Sequence, residues 1–321
     1  MKFKDIAKAW YDDHRQYVKE STAAAYYLIL SNHVNPWFGE ADCVTEEGLQ
    51  KYVNAKIASG MSVKSVQDSV IVVKMVLKYG AKRKWCDAPV EWKIVYPARC
   101  KDSKRLEVWS PSNQRKMIDH CKAHFSFRNL GLLIAMETGM RIGEVSGLRW
   151  GDFDLQDQVV RVQRTVERVY YADGGEKRTE IKINSTKTIN SNREIPLSKD
   201  ILKFIRPLSK VCAPDNYVLI NEAKPLEPRT YRSYFIKLCE ELGVPRIKFH
   251  GIRHTFATGL IASKCDIKTV SSILGHADVS TTLNLYVHPD KEQKRRAINA
   301  FLKGINRNKE EDEDFDISQI L

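Results

Sequence analysis

One interruption constrains this chain more than any other feature. Apolar residues recur at helical spacing through about the first ninety positions and again beyond residue 110. Between them the pattern fails, and YPARCKDSKRLEVW crowds Arg99, Lys101, Lys104 and Arg105 around Pro97. A chain of 321 residues divided in this way predicts two units, each long enough to bury its own core, joined by an extended basic segment. The reading is a helical unit over 1–95, a basic linker over 96–109, a larger unit over 110–305 and an acidic tail over 306–321.

The first unit reads as four or five helices. Phe3, Ile6, Ala7 and Trp10 make one apolar stripe. Ser21 is placed to cap a second helix that ends before Pro36, and Thr45 to cap a third that stops at Gly60. Val63, Val66, Val70, Val73 and Leu77 alternate steps of three and four, the spacing of a one-sided fourth helix.

The second unit opens on Ser110 and Pro111, a capping residue followed by proline at the first helical position. It is mostly helical with one strand-rich insert: VVRVQRTVERVYY, KRTEIKIN and REIPL are β-branched and alternating, separated by ADGG and STKTINSN. The expectation is a three-stranded antiparallel sheet inside an α-rich domain. Helices follow after Ser198, over 231–242, 250–264 and 266–274, near Tyr286, and over 291–302.

Charge narrows the partner. The formal net charge is +12, and EEDEDFDISQIL at the end carries six acids and no base, so the remainder carries +18. A body that basic favours a polyanion. No apolar run is long enough to span a bilayer and MKFKDIAKAW lacks the core of a signal peptide, so a cytoplasmic, nucleoid-associated protein with no membrane contact is expected. Seven scattered cysteines without C-x-x-C spacing (Cys43, Cys86, Cys100, Cys121, Cys212, Cys239, Cys265) suggest reduced packing residues.

Three stretches carry chemistry-bearing residues. In FHGIRHTF, His250 and Arg253 lie three apart on one helical face, with His254 beside them. TGMRIGEVSGLRW presents Arg141 at a helix start, with Glu144 one turn on to orient it, while Ile142, Val145 and Leu148 face a core. ILGHADVSTTLNLY ends a helix at Gly275, sets His276 just past it and leads to Tyr286. Singly, these read as a surface pair, a solvated salt bridge and a packing tyrosine.

In this order Arg141, His250, Arg253, His276 and Tyr286 resemble the active-site set of the tyrosine recombinases, the phage-integrase family, and Lys187 in STKTINSNREIPL matches the lysine that family carries in its hairpin. The resemblance spans nearly the whole chain. It implies an N-terminal SAM-like core-binding bundle and an α+β catalytic domain closing as a C-shaped clamp on DNA. It further implies Tyr286 as nucleophile, a 3′-phosphotyrosine intermediate and four protomers joining two double-stranded recombination sites, with accessory DNA-bending or directionality factors.

The residue types suit that chemistry. Cleaving a phosphodiester builds negative charge on its non-bridging oxygens. No cluster of carboxylates, histidines or cysteines suggests a metal site, and no cofactor is expected, so fixed cations must supply the stabilisation. Arg141 and Arg253 would grip the phosphoryl oxygens, His250 and His276 would donate hydrogen bonds or move a proton, and Lys187 would protonate the leaving oxygen. Arg99, Lys101, Lys104 and Arg105 are expected to touch DNA phosphates, and His254 to be structural.

The chain starts directly on core-binding helices, leaving no room for an additional arm-binding domain, and the hairpin looks like that of phage or transposon integrases. A mobile-element integrase is the favoured reading. The alternatives are an Xer-type chromosome or plasmid dimer resolvase, a type IB topoisomerase, or a non-catalytic DNA-binding protein of the same fold.

Overall fold

The computed structural model describes residues 1–87, 92–97, 107–170, 179–185, 192–275 and 278–286, with 295, 298–299 and 301–302 beyond them. Lys187, His276, Arg99, Lys101, Lys104, Arg105, the tail over 306–321 and most of the helix expected over 291–302 lie outside the described residues.

The first core is built from α1 (Phe3–His14), α2 (Glu20–Ile29), α3 (Asn35–Phe38), α4 (Glu46–Ala58) and α5 (Val63–Lys82). The α1 stripe is buried as its spacing requires, in one cluster with Leu49, Tyr52, Val70, Val73 and Leu77. Thr45 accepts from Gly48 N–H at 3.1 Å and Ser62 from Ser65 N–H at 3.1 Å, the caps of α4 and α5.

Two expectations are corrected in this unit. Lys19, not Ser21, stands at the N-cap of α2, and Ser21 lies within the first turn. The helical path also does not end before Pro36. It widens into a π turn over Leu30–Val34 and continues as α3 with Pro36 in its first turn. A proline ring inside an α-helix clashes with the carbonyl four residues back. The wider turn shifts that register and lets the chain pass.

After α5 the chain returns across its own core: Trp92, Ile94 and Tyr96 pack on it, and Gln50 exchanges two 2.9 Å hydrogen bonds with the backbone of Val95. Trp109 is buried in the second core, its indole N–H donating to Pro245 O at 2.7 Å.

That second core gathers α6 (Pro111–Ala123), α7 (Phe127–Thr138), α8 (Ile142–Ser146), α9 (Lys199–Leu208), α10 (Pro228–Glu241) and the start of α11 (Phe249–Ala262). The helix α12 (Ile267–Leu274) is fastened to α11 by a smaller cluster of Ala257, Val270 and Leu274, and α13 (Val279–Tyr286) packs on both. Both α7 and α12 end on a left-handed glycine, Gly139 at φ +64° and Gly275 at φ +65°.

The strand-rich insert differs from the expected single sheet. It forms a three-stranded antiparallel sheet of β1 (Phe153–Asp154), β2 (Val159–Val162) and β5 (Arg193–Pro196), and a separate hairpin of β3 (Arg164–Tyr170) and β4 (Thr179–Ser185). The run VVRVQRTVERVYY breaks at the exposed Gln163, which belongs to neither ladder. Val160 and Val162 face the main core, and β3 turns away to pair with β4 alone. Lys182 of β4 pairs with Glu20 of α2, linking the hairpin to the first unit. Among the described residues no helix is long and apolar enough to cross a membrane.

Candidate active site

The site forms where α7, α8, α11, α12 and β5 meet. Arg141 is the extended N-cap residue of α8, so its side chain leaves the backbone before the helix begins. Its guanidinium donates to Glu144 Oε1 at 2.8 Å and to Gly275 O at 3.3 Å. Glu144 also accepts from Arg141 backbone N–H at 2.9 Å.

Glu144 is not the solvated partner of a surface salt bridge. It is 3 % exposed, and its second partner is Arg193 at the start of β5, which donates through Nη1 at 3.2 Å and Nη2 at 3.0 Å. Burial alone would raise the Glu144 pKa. Hydrogen bonds and charge from Arg193, then the charge and backbone N–H of Arg141, overcome that and hold the carboxyl below its usual range.

Arg253 lies one turn into α11 and is 1 % exposed. Its guanidinium reaches inward to Gly139 O at 3.0 Å and Leu274 O at 2.6 Å, joining the two glycine-capped helix ends. His250, in the first turn, is exposed and lines a cavity of about 740 Å³ with Arg141, Arg232, Arg246, Lys248 and Glu107. Its ring meets that of His254 edge-on, centroids 4.6 Å apart. Desolvation of the ring, then the neighbouring His254, Arg253 and Arg141, bring the His250 pKa down to about 4, so the imidazole is neutral at pH 7. His254 is lowered as well, by burial first and Arg253 second.

The structure thus brings together Arg141, Glu144, His250 and Arg253 from stretches more than a hundred residues apart. Tyr286 is the last residue of α13, eleven positions beyond the turn that both arginines hold. Lys187 and His276 flank the site in sequence, on either side of Arg193 and Gly275, and lie outside the described residues. Among the described residues no three His, Cys, Asp or Glu side chains gather as metal ligands would.

Arg193 was not singled out from the sequence, yet a signal existed. In REIPL, Arg193 shares the inward face with Ile195, and an arginine on the buried face of a strand needs a buried partner.

A group of fixed cations thus surrounds a helix end on an α-rich domain with small antiparallel sheets, and a helical bundle precedes that domain in the chain. Residues 108–293 match the phage integrase family, and residues 2–57 match the phage integrase N-terminal SAM-like domain. The chain belongs to the phage integrase family, the tyrosine recombinases. It is 28 % identical over 270 residues to a XerC-like tyrosine recombinase of Caldanaerobacter subterraneus, an alignment covering 78 % of this chain and 68 % of that protein. It is 22 % identical over 288 residues to the ICEBs1 integrase of Bacillus subtilis, covering 83 % and 74 %. The fold matches the Tn1549 transposon integrase solved with transposon right-end DNA at a TM-score of 0.77 and 19 % identity, over 94 % of this chain and 99 % of that one.

Proposed function

We propose that this enzyme is the site-specific recombinase of a mobile element, integrating or excising it with Tyr286 as the nucleophile. The observation that carries the reading is the convergence of Arg141 and Arg253, from α8 and α11, on the consecutive carbonyls Leu274 O and Gly275 O, just ahead of His276 and the helix that ends on Tyr286. Two guanidiniums with planar N–H forks match a phosphate whose charge grows in the transition state, and remain charged throughout.

In this mechanism Tyr286 Oη attacks the scissile phosphorus and the bond to the 5′ oxygen breaks. The 3′ end stays on the tyrosine, and Lys187 gives the departing 5′ oxygen its proton. A 5′ hydroxyl from a second strand then attacks the phosphotyrosine and reseals the backbone, because the covalent bond has conserved the energy of the one that was broken. His250, neutral at pH 7, can accept or donate a proton beside the phosphate, and His276 adds a hydrogen bond.

The first core, over 1–95, and the catalytic domain, over 110–305, close on double-stranded DNA as a clamp, with Arg99, Lys101, Lys104 and Arg105 of the 96–109 linker on its phosphates. Four protomers act together in the cytoplasm with accessory bending or directionality factors. An Xer-type dimer resolvase is the second reading, supported by the XerC-like relative. Mapping covalent adducts in cells separates the two: adducts at the ends of a mobile element support the first, and adducts at a chromosomal or plasmid dimer site support the second.

The chemistry is tested with a nicked suicide substrate on a denaturing gel. The wild-type protein should give a shifted covalent band, and Tyr286→Phe should bind the same DNA and give none. A shifted band from Tyr286→Phe would assign the nucleophile elsewhere.

A further inference from the structure

We propose that Arg193 is a positioning residue of this site: it keys the last turn of α12 to the Glu144 carboxylate, and so sets Arg141 and the segment leading to His276 and Tyr286 in one mutual geometry. The proposal rests on the functional reading above.

The α12 C-terminus is held in an unusual way. A helix leaves its last carbonyls without helical partners, at the negative end of its dipole. Here three consecutive carbonyls each accept from a different arginine: Ile273 O from Arg193 Nε at 2.7 Å, Leu274 O from Arg253 Nη2 at 2.6 Å, and Gly275 O from Arg141 Nη2 at 3.3 Å. The three arginines come from β5, α11 and the N-cap of α8. Two of them are the proposed phosphate ligands. Arg193 is the third: its side chain is 7 % exposed, far less than that of Arg141 at 37 %, and unlike Arg141 and Arg253 it spends both arms of its fork on the Glu144 carboxylate.

The planar fork of Arg193 divides its work. Nη1 and Nη2 grip both oxygens of Glu144, and Nε on the same plane holds Ile273 O. Glu144 in turn takes the side chain and the backbone N–H of Arg141. One rigid guanidinium therefore fixes the angle between the carboxylate that aims Arg141 and the helix end from which His276 follows. Lys187, the proposed general acid, stands six residues before Arg193 in the chain. A lysine at 193 would keep the charge and lose the fork, because an ammonium cannot engage two acceptor sets in one plane.

The test uses the full-length protein and three measurements on wild type and Arg193→Lys: DNA affinity, single-turnover formation of the covalent complex, and hydrogen exchange over 270–286. Affinity should stay within about twofold of wild type, and the cleavage rate should fall about a hundredfold, the scale of a misplaced catalytic group. Exchange should quicken in α12 and α13 and stay unchanged in the β1–β2–β5 sheet. In Arg193→Ala, added ethylguanidinium should recover part of the rate and ethylammonium should not. A rate in Arg193→Lys within roughly threefold of wild type, or equal rescue by the two cations, overturns the proposal. If Arg193→Ala does not fold, Arg193→Lys decides. If wild type forms no covalent complex, the functional reading fails on its own, and unchanged exchange in Arg193→Lys would still refute the positioning role.

Discussion

The first helical unit and the active-site region solve the placement of charge in opposite ways. Among the described residues of the first unit no charged side chain is buried, and the ion pairs Lys2–Asp42, Lys4–Glu40 and Lys64–Asp68 lie on the surface. The catalytic unit instead buries Glu144, Asp152 and Arg253, with Arg193 beside them. Taking charge out of water is costly, and a buried pair is weak evidence for stability. A region that accepts this cost is using charge to fix geometry, whereas the first unit holds its shape by apolar packing and lets its ions stay solvated.

That contrast can be broken most directly at Glu144. Glu144→Ala leaves Arg193 buried without its carboxylate and should cost about 3–5 kcal/mol in urea unfolding. A loss below about 1 kcal/mol would put the pair in the class of the surface bridges and remove the distinction.

A smaller effect is expected from His250. With a pKa of about 4 in the folded protein and 6.5 when unperturbed, the unfolded chain holds the additional proton between those values. Protonation then favours unfolding, so this group's contribution is full above about pH 6.5 and is lost as pH falls toward 4. The difference in stability between wild type and His250→Gln should shrink over that window, and an NMR titration should place the imidazole midpoint well below 6.5. A midpoint at or above 6.5 would mean that neither burial of the ring nor the charged groups around it lower its pKa.

The smallest effect belongs to the first unit. Lys64→Ala removes an exposed i, i+4 pair and should change stability by no more than about 0.5 kcal/mol, less at high salt. A salt-dependent loss above about 1.5 kcal/mol would show that surface charge matters to this core after all.

Local signals were readable where one element decides them. Thr45 and Ser110 cap the helices expected of them, a helix follows Ser198, and the valine ladder of α5 is buried, Val63 aside. Arg141, Glu144, His250 and Arg253 do converge. What escaped depends on partners far away in sequence. Gln163 splits one β-rich run because β5, some thirty residues on, pairs with only its first half. Arg193 looked like an ordinary strand residue because its partners, Glu144 and Ile273, lie 49 and 80 positions away. Pro36 read as a stop signal because a π turn leaves no mark in apolar periodicity.

The glycine that ends α7 carries an implication for reprogramming the enzyme by directed evolution. A Cβ on Gly139 would sit 2.5 Å from Phe256 Cδ1, and at φ +64° the backbone itself resists any other residue. The carbonyl of Gly139 is also the acceptor for Arg253, and Phe256 is three residues further along α11. A mutation there would push on the helix that presents His250 without touching a substrate atom. Libraries that seek new target sites should leave positions 139 and 275 invariant and spend their diversity on Arg232, Arg246 and Lys248, which line the open cavity and hold none of these helix ends in place.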